Sequence, residues 1–79
     1  MKQKPNRATD KLLICLDNTG YSASLERRKI YLGLPDPTAL KHGLLRVIDE
    51  SGEDYLYPKS LFLPITVPQF LRKVILKVA

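Results

Sequence analysis

With 79 residues the chain has room for one domain, near the lower limit of what folds without disulfides, a metal or a partner. The apolar fraction of 44% and the charged fraction of 27% suit a packed soluble fold and argue against wholesale disorder. The single cysteine, Cys15, excludes an internal disulfide, and the formal charge of +5 resides at the termini, with +3 over residues 1–11, −1 over residues 12–67 and +3 over residues 68–79. A nucleic-acid barrel would be expected to carry its positive charge on the sheet itself.

Residues 1–10 are polar and aperiodic and read as a disordered basic tail. The apolar run that follows is too short for a signal peptide or a membrane span, so the chain is expected to be cytoplasmic. Residues 11–17 read as a buried strand holding Cys15 as a small hydrophobe, and Asp17-Asn18-Thr19-Gly20 as a turn. Residues 21–28 show neither period and are taken as a long ordered loop. Residues 29–34 form a second strand, Ile30, Leu32 and Leu34 alternating with Lys29, Tyr31 and Gly33, which stops at Pro35-Asp36-Pro37. A helical turn over residues 38–42 is closed by Gly43.

The clearest local signal is a hairpin. Apolar residues 44–48 and 55–57 flank Glu50-Ser51-Gly52-Glu53, where glycine supplies the positive φ of a tight turn. Pro58-Lys59-Ser60-Leu61 suits a 3₁₀ turn, and residues 62–65, interrupted by Pro64, a short edge strand. Thr66 and Gln69 have capping-box spacing, with Ile65 and Phe70 as a hydrophobic staple, and Phe70, Leu71, Val74, Ile75 and Val78 share one face of a terminal helix opposite Arg72, Lys73 and Lys77. The expected division is a tail over 1–10, a five-stranded small barrel over 11–66 and an amphipathic helix over 67–79 packed on it.

Five short strands, a long first loop, a tight hairpin and a 3₁₀ turn before the last strand resemble the Src-homology-3 fold, with Tyr55-Leu56-Tyr57-Pro58-Lys59-Ser60-Leu61-Phe62 as its closing segment. That family binds proline-rich peptides through aromatic grooves, which is not expected here without two of its rings; a different protein-binding groove of Tyr21, Tyr55, Pro58 and Leu61 is the expectation. This chain departs from the pattern, for it has no tryptophan and Leu61 stands where the family carries a 3₁₀ tyrosine. Nearly the whole chain, residues 46–58 above all, also resembles a group of short uncharacterised bacterial proteins, which implies a stand-alone bacterial domain and no activity.

Asp49, Glu50, Glu53 and Asp54 cluster at the hairpin but lack EF-hand spacing, so they read as a solvated acidic tip and no metal is expected. One histidine, no glycine-rich phosphate loop and no recognisable nucleophile setting argue against an enzyme and against a cofactor. The leading expectation is a non-catalytic protein-interaction module or accessory subunit. The alternative is a nucleic-acid-binding barrel using the basic termini with Arg27, Arg28, Lys29 and Arg46. The chain is expected to be a monomer or a weak homo-oligomer, pairing through the edge at residues 62–65.

Overall fold

A computed structural model describes residues 10–78. Of the tail expected over residues 1–10, residues 1–9 lie outside them, as do the side chains of Leu76, Lys77 and Val78, whereas Asp10 is buried at the start of the sheet. The elements in order are β1 (Lys11–Cys15), β2 (Ile30–Leu34), α1 (Pro37–Lys41), β3 (Leu44–Ile48), β4 (Asp54–Pro58), a 3₁₀ turn at Lys59–Leu61, β5 (Phe62–Ile65) and α2 (Gln69–Val78). The fold is mainly β, a single antiparallel sheet in the order β4-β3-β2-β1-β5 with a C-terminal helix.

No pairing joins β4 to β5 among the described residues, so the sheet is open. Its two edge strands nevertheless meet through side chains, Tyr57 of β4 lying edge-on to Phe62 of β5 at 6.2 Å between ring centroids. The sheet therefore curls, and its concave face holds the main core of Leu13, Cys15, Leu25, Tyr31, Val47, Tyr57, Leu61 and Phe62. Gly33 is fixed by this curl. A Cβ there would stand 2.8 Å from Leu13 Cδ1, so a larger residue would require the Leu13 side chain to shift.

Alternation in β2 holds, Tyr31 lying on the face opposite Leu32 and Leu34, but both faces are buried, with Tyr31 in the concave core and Leu32 and Leu34 in a second layer with Leu12. Ile48, Ile65 and Val67 pack against that second layer, and so does Ile75 from α2.

The helix itself differs from expectation. It begins at Gln69 rather than Thr66, with Arg72 N donating to Pro68 O, so Gln69 opens the first turn instead of closing a capping box. Arg72 and Ile75, three residues apart, face the sheet, and the Arg72 guanidinium donates to Asp10 O. Phe70 is left 72% exposed, with Leu71 and Val74 also exposed, and no staple to Ile65 forms.

Candidate functional site

The two ends of the curled sheet are built differently. At the end where β3 meets β4, Asp49 is only 7% exposed and the Tyr57 hydroxyl donates to its Oδ2. The same Tyr57 oxygen shares a 2.8 Å hydrogen bond with Ser24 Oγ, while Ser51 donates to Asp49 Oδ1 through both N–H and hydroxyl. One strand away the Tyr31 hydroxyl donates to Glu50 Oε2 and accepts from Glu26 N at 2.7 Å, and Lys29 Nζ lies 2.7 Å from Glu50 Oε2. Glu50 N donates to Ser24 O, and Leu25 is fully buried beneath. The acidic turn expected to be solvated is thus stitched to the loop of residues 21–28, because two core phenols end at its carboxylates.

The electrostatics follow from those bonds. Burial pushes the Asp49 carboxyl upward, but Ser51 and Tyr57 donate strongly enough to hold it below the ordinary carboxylate range. Lys29, then Tyr31, holds Glu50 low as well. The phenols shift the other way, since burial and then their carboxylate partners keep Tyr31 and Tyr57 protonated beyond the usual tyrosine range. Burial likewise pushes the Cys15 thiol up, against the lowered pKa that a reactive cysteine requires.

At the opposite end, where β2 leads into α1, lies an apolar groove of about 400 Å³. Gly33 and Leu13 form its floor, and Leu34, Leu40, Leu44 and Leu45 its sides, with Pro35, Pro37 and Pro64 around it and Lys11 at the rim. Local sequence builds the wall. Asp36 caps α1 by accepting from Ala39 N at 3.0 Å, Pro37 opens the helix, and Gly43 at φ +72° turns the chain into β3. Arg46 Nε binds the same Asp36 carboxylate at 2.8 Å, and its Nη1 lies 3.6 Å from Asp54. The Ala39 N–H and then the Arg46 guanidinium hold the Asp36 carboxyl below its ordinary value.

The residues singled out from sequence are scattered by this arrangement. Leu61 is 8% exposed in the concave core and unavailable as a surface contact. Tyr21 lies edge-on to Tyr57, centroids 5.1 Å apart, at the stitched end. Tyr55 is 54% exposed on β4, and Pro58 is half-buried where that strand ends. Of the basic set, Arg46 sits opposite Leu34 at the far end of β2 from Lys29, roughly 16 Å along the strand. Lys29 is paired with Glu50 and Glu26, and Arg46 with Asp36 and Asp54. Arg27 and Arg28 make no ion pair among the described residues. Cys15 N donates to Lys29 O while Arg28 N donates to Cys15 O, so Arg28 occupies a bulge at φ +66°, a place that usually falls to glycine.

Sequence reading missed the groove residues Leu40, Leu44 and Leu45. Their only signals were a leucine in a helical turn too short to bury it and a leucine doublet entering β3. Among the described residues no group of three or more His, Cys, Asp or Glu side chains is placed to hold a metal ion. No described helix is long and apolar enough to cross a membrane. Comparison with protein-family models, with curated proteins and with solved structures finds no match to the chain.

Proposed function

We propose that this chain is a non-catalytic protein-interaction domain of Src-homology-3-like type, a cytoplasmic bacterial module whose α1-end groove receives an apolar segment of a partner. The observation that carries the reading is the groove itself, a concave apolar surface with Leu40 left 52% exposed at its edge. The strand order and the 3₁₀ turn between β4 and β5 support the fold assignment. Burial of Leu61 shifts the binding surface from the aromatic set of Tyr21, Tyr55 and Pro58 to the leucine set around α1. Separation of Arg46 from Arg27, Arg28 and Lys29 weighs against the nucleic-acid alternative, which needs clustered cations.

The test places a photo-crosslinking amino acid at position 40, and separately at position 27 on the other end, in cells that express the chain. Protein adducts at position 40 and not at 27 are the expected result. Nucleic-acid adducts at 27 with none at 40 would install the alternative, and the absence of adducts above background at 40 would end the groove reading.

A further inference from the structure

The two edges of the sheet offer different backbone groups. In β1, Cys15 points its N–H at β2, bonding Lys29 O, whereas Leu16 N donates to Leu61 O. With Ile14 opposite Leu63 and Leu12 opposite Ile65, it follows that Leu63 and Ile65 bond β1 while Phe62 and Pro64 face the free edge. The Phe62 N–H is taken by Lys59 O, and Pro64 has none. The β5 edge, expected from sequence to pair with a second chain, has no donor to give.

The β4 edge is the reverse case. Asp49 N donates to Glu53 O and Lys59 N to Gly43 O, with Leu45 opposite Tyr57 and Val47 opposite Tyr55. Residues 53, 55, 57 and 59 therefore address β3, and Asp54, Leu56 and Pro58 address the open edge. Along that edge two side chains are apolar and uncovered, Leu56 at 42% exposure and Tyr55 at 54%, while Tyr57 is buried in the concave core.

The edge reads Glu53-Asp54-Tyr55-Leu56-Tyr57-Pro58-Lys59, which is self-complementary about Leu56. We propose that two copies of this chain pair β4 against β4, antiparallel about a twofold axis through Leu56, making one sheet continuous through both. Leu56 then exchanges N–H···O=C bonds with its own mate. Asp54 N–H donates to Pro58 O of the second copy, while the return bond to Asp54 O is absent at both ends because Pro58 has no N–H. Tyr55 stands across from Tyr57 of the second copy, whose ring stays in its own concave core, so the exposed Tyr55 ring is covered by the added strand and not by a ring pair. Glu53 faces Lys59, opposite charges at both ends of the pairing. Centring the axis one residue earlier, on Tyr55, draws the two acidic ends together and leaves Lys59 without a mate, so charge selects the register. This isologous contact uses a surface separate from the groove.

Sedimentation equilibrium of the full chain from micromolar to millimolar concentration is the test. A monomer-to-dimer rise in mass is expected, with Leu56→Pro remaining monomeric because its N–H faces only the open edge. Lys59→Glu should weaken the dimer about tenfold, and Glu53→Lys combined with Lys59→Glu should restore it. A monomer mass over the whole range overturns the proposal. So does a dimer that survives Leu56→Pro, or one indifferent to the charge reversals. Should Leu56→Pro fail to fold, the exposed charge-reversal pair decides alone.

Discussion

At the hairpin end the core is closed by phenols delivered to carboxylates, whereas at the α1 end it is closed by leucines and prolines, with Arg46 paired to Asp36 and Asp54 beside them. Both ends cover the same concave face, and both use an aspartate, yet the two aspartates serve different purposes. Asp49 is buried and bonded by Tyr57, Ser51 and its own turn, so it fixes the loop of residues 21–28 against the hairpin. Asp36 caps a short helix and orients Arg46, leaving the apolar surface beside it open. A buried polar network rigidifies where every member is satisfied, while an apolar surface without a cover is free to take one. The contrast assigns stability to one end and recognition to the other.

That assignment breaks if the wrong end proves costly to alter. Leu25→Ala, which empties a fully buried position under the stitched loop, should destabilise by about 2–5 kcal/mol, read from the urea midpoint. Tyr57→Phe leaves the buried Asp49 carboxylate short of a donor and should cost about 1–3 kcal/mol in the same measurement.

Acid sharpens the contrast further. Asp49 and Glu50 are both held low in the folded state, so their contribution is complete above the ordinary carboxylate range and is lost as pH falls below that range through their folded values. Thermal melts should therefore fall steeply there, and Tyr31→Phe, which removes a donor from Glu50, should flatten that fall. In alkali the sign reverses, because the raised phenols contribute below about 10 and lose that contribution as pH climbs through their folded values. The smallest expected effect is at the α1 end, where Leu40→Ser should change stability by no more than about 0.5 kcal/mol while abolishing crosslinking to a partner from a probe at position 44. A Leu40→Ser loss as large as that of Tyr57→Phe would make the groove a structural element.

Much of the frame was legible in sequence because glycine and proline punctuate it. Gly52 marks the hairpin turn at φ +83°, Pro58 precedes the 3₁₀ turn, Pro37 opens α1, and β5 spans the residues expected. Both halves of the site lay beyond local pattern. The Tyr31–Glu50 and Tyr57–Ser24 bonds join residues 19 and 33 apart in sequence, which no window of periodicity samples. The alternation of β2 placed Tyr31 opposite Leu32 and Leu34 as found, but could not show that both faces are buried, because each face meets residues distant in sequence. Phe70 was misplaced because the helical period alone does not say which part of an apolar face meets the sheet: among the described residues Ile75 packs on the second layer and Phe70 does not.

The placement of Pro64 carries one more consequence, for the limits of assembly. Strand addition propagates into a fibre only when each new copy presents a competent edge on both sides of its sheet. Here β5 offers a partner neither of the donors it needs, with the Phe62 N–H occupied and Pro64 lacking one. A sheet built from β4 contacts consequently terminates at two chains. Growth stops by backbone chemistry rather than by surface charge.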